Sequence, residues 1–390
     1  MIERETLQSR VRLCLSEAPV TVLLGARQTG KTTLARLLAA EHPQVSFFDL
    51  ERPSSRAALS VTPELALRDC SGLVVIDEVQ RMPELFELLR PLCDDPARKA
   101  VFLLLGSASL DIVKGVSESL AGRALFVQAS GFSLEECDPK NMNRLWLQGG
   151  FPRSYLARPD AAWRWLDSFS QTLLERDIPQ LGIRIPAETL RRFWLMLSHY
   201  HGQTWNAAEI GRSISCGSGA ANHYRDLLAG SYMIRVLPPW FENLKKRQVK
   251  SPKIYLRDSG LLHRFLGVES MSDLRSHPRY GASWEGFALE QILIRFGDRD
   301  AYFWATQRGA ELDLLLLRKG KRWGFEFKCT DAPAVSRAMH VALDDLGLEH
   351  LWVVYPGRDI FPMHPKITAL PLSMLGELKG FPLESMETIG

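Results

Sequence analysis

The feature that most constrains this 390-residue chain is a glycine-rich octapeptide at residues 25–32. It reads GARQTGKT and fits the pattern G-x-x-x-x-G-K-[ST]. A short apolar run at residues 21–24 precedes it, and a helix-like stretch at residues 33–38 follows it. In that setting, the backbone N–H groups of the loop and the helix N-terminus can surround phosphate groups. The octapeptide therefore predicts a nucleotide-binding loop.

The roles of individual residues follow from the chemistry of phosphoryl transfer. Lys31 is predicted to reach the β- and γ-phosphates of ATP, and Thr32 to ligate Mg²⁺. An apolar strand at residues 73–76 ends in Asp77, predicted to join the Mg²⁺ shell, and Glu78, predicted to face the attacking water. Ser107 ends another apolar run and could sense the γ-phosphate, although a turn or helix cap is the alternative. The residues predicted to contact ATP or its Mg²⁺ are Gly25, Ala26, Arg27, Gln28, Thr29, Gly30, Lys31, Thr32, Thr33, Asp77 and Ser107.

Arg123, in the run LAGR at residues 120–123, is a candidate arginine finger. Such a residue would act on the nucleotide of a neighbouring subunit. The alternative is an ordinary solvated arginine.

Apolar runs alternate with helix-like stretches over residues 20–130, a pattern typical of a buried parallel sheet in an α/β fold. We predict a P-loop ATPase core at residues 1–130 and a helical lid at 131–186. A winged helix with a basic wing is predicted at 187–260, and a nuclease-like α/β domain at 261–390. Within the last, residues 280–356 suggest the order helix, strand, strand, helix, strand.

The prediction of a winged helix is based on the order of its elements, which is helix, turn, helix and a β-like segment. Its third helix, residues 220–229, carries a polar face predicted to enter a DNA groove. The wing would carry five cations able to neutralise phosphates. A protein-docking surface or a solvated hairpin tip is the alternative. The face comprises Asn222, His223, Tyr224 and Arg225, and the cations are Lys245, Lys246, Arg247, Lys250 and Lys253.

A second set of charged residues lies near the C-terminus. Asp313 begins an apolar strand, and Glu326 and Lys328 follow on the next one, two residues apart and so on one face. Glu285 continues the core-facing stripe of a predicted helix. Glu285, Asp313 and Glu326 would build a divalent-metal site, with Lys328 beside the scissile phosphate. Ordinary cross-strand charge pairing is the alternative.

Composition excludes some classes of protein. No apolar run approaches the roughly 18 residues that cross a bilayer, and the N-terminus lacks the apolar core of a signal peptide, so we expect a cytoplasmic protein. Six scattered cysteines without a C-x-x-C pair argue against a disulfide framework or a zinc site. A net charge of +3 does not by itself indicate a polyanionic partner.

Seven short motifs are spread along the chain: GARQTGKTT at residue 25, VIDEVQ at 75, GSAS at 106, LAGR at 120, GGFP at 149, ERDI at 175 and YLRDSGLL at 255. Together these motifs resemble the prokaryotic AAA-type ATPases with a C-terminal domain of unknown function. The resemblance implies an AAA-like core with its helical lid, a winged helix and a PD-(D/E)XK restriction-endonuclease-like end, with Leu312 standing where proline is usual before Asp313.

Two functions compete. The leading hypothesis is an ATP hydrolase that processes DNA, with ATP and Mg²⁺ as cofactors, as a homo-oligomer for which a hexameric ring is one candidate. The alternative is a nucleotide-operated switch or DNA-binding regulator whose inactive nuclease-like domain docks a protein partner.

Overall fold

A computed structural model describes residues 2–107, 110–180, 185–241 and 248–377, with backbone alone for 110–114, 180 and 377. The described residues form two compact units. The first extends to Gly131 and includes residues 230–232. The second comprises Phe132–Ala229 and the described residues from Met233 onward. No helix within these ranges is long and apolar enough to cross a bilayer.

The first unit is built on a five-stranded sheet in which every pairing is parallel, in the order β2-β3-β4-β1-β5. Its strands are β1 (Val20–Gly25), β2 (Val45–Asp49), β3 (Gly72–Asp77), β4 (Ala100–Ser107) and β5 (Ala124–Gln128). Its helices are α1 (Glu5–Glu17), α2 (Lys31–Ala39), α3 (Pro53–Ala58), α4 (Pro63–Arg68), α5 (Leu85–Asp94) and α6 (Leu110–Ser119). The parallel α/β core predicted from the apolar runs is confirmed.

Both faces of this sheet are covered, which explains why its strands are apolar without alternation. In β3, Val74 and Ile76 pack into one core cluster, whereas Leu73 and Val75 pack into the other. Strand β4 lies between β1 and β3, and its Ser107 pairs with Gly25. The carboxyl ends of β1, β3 and β4 therefore meet at one edge of the sheet.

The second unit begins with helices and a small antiparallel sheet. Its early elements are α7 (Met142–Gln148), α8 (Pro152–Tyr155), α9 (Pro159–Thr172), a π-helical turn (Leu173–Asp177), α10 (Ile178–Gln180), α11 (Ala187–Tyr200), β6 (Gln203–Thr204), α12 (Ala207–Ser213), α13 (Ser218–Gly230), β7 (Ile234–Leu237) and β8 (Lys253–Leu256). The three strands pair in the order β6-β8-β7. Helix α13 runs one residue past the unit boundary.

A mixed six-stranded sheet follows, in the order β13-β14-β12-β11-β10-β9. Its elements are α14 (Ser259–Leu266), α15 (Met271–Ser276), α16 (Tyr280–Phe296), β9 (Ala301–Ala305), β10 (Glu311–Arg318), β11 (Lys321–Phe327), α17 (Arg337–Leu346), β12 (His350–Tyr355), β13 (Phe361–His364) and β14 (Ile367–Pro371). Strand β9 was not in the predicted element order. Helix α17 covers one face of the sheet through Met339, Ala342 and Leu346.

Two sequence motifs of the second unit hold its helices together. The Asp258 carboxylate caps α14 by accepting from Leu261 N at 2.8 Å, and its other oxygen accepts from Gly150 N at 2.8 Å. A Cβ on Gly149 would lie 2.2 Å from that carboxylate, and a Cβ on Gly260 would lie 2.2 Å from the carbonyl oxygen of Gln148. These glycines therefore allow α7 and α14 to approach closely.

The helices predicted as a lid consequently share a core with the residues predicted as a nuclease-like domain. Trp146 of α7 packs edge-on against Trp284 and donates to Ser283 Oγ at 2.9 Å. The described residues form two compact units, whereas the sequence suggested four domains, and Trp146 of the predicted lid has contacts in α16.

Candidate functional site

The nucleotide loop follows directly from the way β1 ends. A Cβ on Gly25 would lie 2.1 Å from the carbonyl oxygen of Ala129, so only glycine fits there without a shift of the neighbouring backbone. The chain then turns through two left-handed positions, Gln28 (φ 62°) and Gly30 (φ 90°). Helix α2 begins at Lys31. The N-terminus of α2 therefore lies at the edge where β1, β3 and β4 end.

Lys31 folds back over this loop. Its Nζ donates to the carbonyl oxygens of Gly25 at 3.0 Å and Ala26 at 2.8 Å. The side chain is 6% exposed, and burial lowers the pKa of Lys31 to about 8. Thr29 Oγ1 also donates to the Ala26 carbonyl, at 2.9 Å. A cation in such a dry loop interacts strongly with any phosphate that enters it.

The structure joins the loop to β3 through Thr32 and Asp77. Thr32 Oγ1 donates to Asp77 Oδ2 at 2.7 Å. Asp77 is 4% exposed, and burial raises its pKa although the Thr32 hydrogen bond opposes the shift. A hydroxyl and a carboxylate oxygen side by side are hard ligands of the kind Mg²⁺ prefers. The pair fits the predicted Mg²⁺ shell.

Glu78 is held by its neighbours at the same edge. It has left-handed backbone (φ 56°), and its N–H donates to Asp77 Oδ1 at 2.9 Å. Ser107 Oγ donates to Glu78 Oε1 at 3.2 Å, and Gln80 Nε2 donates to Glu78 Oε2. The structure thus brings Ser107 to the Glu78 carboxylate, at the tip of the strand between β1 and β3.

The remaining predicted loop residues differ in burial. Arg27 is half-buried, whereas the side chains of Gln28 and Thr33 are exposed. In the motif at residue 106, Ala108 and Ser109 lie outside the described residues.

Arg4, which no sequence motif indicated, supports the nucleotide loop. Its Nη1 donates to the Thr29 carbonyl and its Nη2 to the Gly131 carbonyl, each at 3.0 Å. The side chain is buried, at 7% exposure. No local pattern marks an arginine before α1 as a partner of a loop 25 residues away, so only the fold reveals it.

Arg123 is engaged within the chain. Its Nε and Nη2 bind the two carboxylate oxygens of Asp94 at 2.6 and 2.8 Å, and its Nη1 donates to the Ala121 carbonyl at 2.9 Å. A role on another subunit's nucleotide would require Arg123 to leave Asp94.

The second unit brings together the four residues predicted as a nuclease-like set. Asp313 of β10 accepts from Phe327 N at 3.0 Å, and Lys328 Nζ donates to Glu326 Oε1 at 2.7 Å. Glu285 of α16 accepts from Tyr255 OH at 2.6 Å. Burial, followed by the nearby Asp313 carboxylate, raises the pKa of Glu285 to about 7 and that of Glu326 to about 8.

Lys253 also lies among these carboxylates, contrary to its predicted place on an exposed wing. Its Nζ is 3.2 Å from Glu285 Oε1 and 3.5 Å from Asp313 Oδ1, and it also binds Glu311. Burial disfavours its charge, but Tyr255 and these carboxylates outweigh burial and hold the pKa of Lys253 well above its usual value. The wing prediction failed here because β8 carries this side chain inward. Lys245, Lys246 and Arg247 lie outside the described residues.

This geometry does not fit the predicted metal site. Across residues 2–107, 110–180, 185–241 and 248–377, no group of three or more His, Cys, Asp or Glu side chains is arranged to hold a metal ion. Glu285, Asp313 and Glu326 are near one another, but one oxygen of each lies against an ammonium group, which is Lys253 for Glu285 and Asp313 and Lys328 for Glu326.

The predicted recognition face is mostly turned into the protein. Asn222 accepts from Trp205 Nε1 at 2.7 Å, and Tyr224 packs edge-on against Phe193. Arg225 lies over the Trp205 ring. Among the four residues of that face, only His223 is exposed. Amphipathic side chains that look polar in sequence here supply packing surface.

Comparison with known families agrees with the geometry of the first unit. Residues 17–137 match the family described as AAA domain. Residues 139–272 match a domain of unknown function, DUF8612, and residues 280–375 match another, DUF4143. The AAA-type P-loop domain predicted from the sequence is therefore confirmed.

Similar proteins cover nearly the whole chain. It is 48% identical over 378 residues to Uncharacterized protein Rv2008c of Mycobacterium tuberculosis and equally to Uncharacterized protein Mb2031c of Mycobacterium bovis. Each alignment covers 96% of this chain and 85% of the relative. Among solved structures, the Walker-type ATPase PABY2304 of Pyrococcus abyssi is similar in fold, with a TM-score of 0.50 and 16% identity. That likeness covers 68% of this chain and 96% of the other.

Proposed function

The chain belongs to the same family as the mycobacterial proteins Rv2008c and Mb2031c, and we propose that its AAA-type P-loop domain binds ATP with Mg²⁺ and hydrolyses it. The observation that carries this proposal is the hydrogen bond of 2.7 Å between Thr32 Oγ1 and Asp77 Oδ2. It places a hydroxyl and a carboxylate together at the N-terminus of α2, beside the Lys31 ammonium. In P-loop ATPases the lysine binds the phosphates, and the hydroxyl and the carboxylate hold the Mg²⁺.

The residues would divide the work as follows. Lys31 Nζ exchanges the carbonyl oxygens of Gly25 and Ala26 for phosphate oxygens, and the loop N–H groups bind the same phosphates. Thr32 and Asp77 would hold Mg²⁺, which would supply positive charge to stabilise the charge on the phosphates. The Glu78 carboxylate orients the attacking water and accepts its proton, while Ser107 keeps that carboxylate in place.

Two variants test these roles by separating binding from turnover. Lys31→Ala should lose nucleotide binding, whereas Glu78→Gln should keep it and lose at least about 100-fold in kcat. Glu87→Gln, an exposed glutamate on α5, is the matched control for the second change. The proposal fails if Glu78→Gln hydrolyses ATP at the wild-type rate, or if Lys31→Ala binds ATP normally.

We further propose that residues 187–260 form a winged helix that binds DNA, and that ATP hydrolysis drives work on this DNA within a homo-oligomer. Support comes from the order helix, strand, helix, helix, strand, strand, with the strands paired as β6-β8-β7. His223 and Lys250 are exposed and could reach phosphates.

DNA binding and its link to hydrolysis are measured separately. Fluorescence anisotropy with duplex, branched and single-stranded DNA across a salt series gives affinity, and ATPase rates with the same panel give coupling. Lys250→Ala should weaken binding and flatten its salt dependence, because one phosphate contact is lost. The proposed work on DNA would be refuted if the chain bound no DNA at low salt and its ATPase rate were the same with and without each DNA.

A nucleotide-operated switch is the second candidate, favoured by the burial of Lys253 among the carboxylates predicted to hold a metal. In this case, ATP binding holds one conformation and the C-terminal domain docks a protein partner. Slow turnover is its signature, and steady DNA-stimulated turnover above about 1 s⁻¹ would count against it.

A further inference from the structure

The carboxylates of Glu285, Asp313 and Glu326, here called the carboxylate cluster, come from three different elements. Helix α16 supplies Glu285, β10 supplies Asp313, and β11 supplies Glu326. Asp313 and Glu326 are 7% and 6% exposed. Glu326 Oε2 is buried and has no hydrogen-bond partner among the described residues. Buried acids that converge in this way need a cation, because uncompensated charge is costly in a dry site.

The cation in this structure is Lys253. Its Nζ is 3.2 Å from Glu285 Oε1 and 3.5 Å from Asp313 Oδ1. A divalent metal needs oxygen ligands at about 2.0–2.6 Å from several directions. An ammonium at these distances from the two carboxylates takes up the oxygens and the space that the metal would use. Lys328 engages Glu326 Oε1 in the same way, at 2.7 Å.

Lys253 is fixed in this position by its strand. Strand β8 is the middle strand of its sheet, and Lys253 pairs with Thr204 on one side and Leu237 on the other. Its Nζ also lies 5.6 Å from the centre of the Phe303 ring, a favourable cation–π distance. Its side chain is 6% exposed, so it is almost entirely withdrawn from solvent.

We infer that Lys253 permanently replaces the divalent metal of the carboxylate cluster, so that this nuclease-like domain excludes metal and does not cut nucleic acid by metal-dependent chemistry. The cluster instead acts as a buried ion pair that ties β8 to α16 and β10. Because all of these residues lie in the second unit, metal exclusion does not depend on whether the first unit hydrolyses ATP.

Mn²⁺ binding to the intact chain tests whether the carboxylate cluster excludes metal. Electron paramagnetic resonance measures the free ion and so gives the bound fraction. Asp77→Ala serves as the background, without nucleotide, because it removes the carboxylate of the other metal site. We expect no Asp313-dependent binding below about 1 mM in this background. Adding Lys253→Met should create one site at least about tenfold tighter. Lys250→Met, an exposed lysine three residues earlier, should not create one.

Two results would overturn the inference. One is Mn²⁺ binding in the background chain that disappears with Asp313→Asn, and the other is a folded Lys253→Met variant that gains no site. If Lys253→Met does not fold, the comparison of the background chain with Asp313→Asn decides the question, together with Mn²⁺-dependent plasmid cleavage by both. Cleavage lost with Asp313→Asn would equally overturn it.

Discussion

Replacing Arg4 with methionine should destabilise the nucleotide loop without changing any residue that is predicted to contact phosphate. The change keeps an apolar stem but removes the guanidinium that binds the Thr29 and Gly131 carbonyls at 3.0 Å each. A hydrogen bond to a charged group contributes roughly 1.5–3 kcal/mol. Allowing for partial compensation by water, we expect the first unit to lose about 3 kcal/mol of stability. That corresponds to a fall of about 10 °C in the Tm of a unit this size.

Calorimetry of the full-length chain, with and without ATP, measures this effect, because the transition raised by nucleotide belongs to the first unit. The KM for ATP should also rise, about tenfold for each 1.4 kcal/mol of binding free energy lost when the loop is less ordered, and kcat should change less. Arg12→Met is the control. Arg12 forms a half-exposed pair with Glu41 and a hydrogen bond to Gln8 on its own helix, and its loss should cost at most about 1 kcal/mol. An Arg4→Met chain that keeps both the wild-type Tm and the wild-type KM would refute the reasoning.

Three further predictions follow from individual contacts. Gly25→Ala should weaken ATP binding at least about tenfold, because its Cβ would lie 2.1 Å from the Ala129 carbonyl oxygen; an unchanged Kd by calorimetry would contradict this. Burial raises the pKa of Asp258 from 3.8 to about 6, so the folded state holds the proton more tightly and stability should fall by roughly 3 kcal/mol as pH rises from about 4 to 6. Urea unfolding over this range should show that fall in the wild type and not in Asp258→Asn, whereas parallel curves would rule it out. If Arg123 acts on a neighbouring subunit, Arg123→Ala should lower the ATPase rate, whereas Asp94→Ala, which releases Arg123, should not. Equal rates for Arg123→Ala and wild type across protein concentrations would exclude a role of Arg123 as an arginine finger.

Local patterns predicted the nucleotide loop well because its residues are close in sequence and each has one task. The run from Gly25 to Thr32 contains both the turn and the helix N-terminus. Asp77 is the last residue of β3, so an apolar strand pattern is enough to place it. Ser107 is also placed by its strand end. The contact between Ser107 and Glu78 could also have been predicted, because the strand ends of a parallel sheet meet at one edge.

Side-chain direction was harder to predict. The face of α13 from Asn222 to Arg225 is polar in composition, yet three of its four residues pack on Trp205, Phe193 or their own helix. Lys253 was read as part of a basic wing. In both cases the sequence shows charge and polarity but not which way a side chain points, which depends on partners far along the chain.

The sequence by itself determined the parallel sheet, the phosphate loop and the convergence of acids near the C-terminus, because periodicity and short motifs encode local structure. Only the tertiary structure decided what neutralises those acids. Lys253 is 60 residues from Asp313 and 32 from Glu285, and its role depends on β8 lying beside both. A buried carboxylate needs a compensating charge, and among the described residues Lys253 lies against both Glu285 and Asp313.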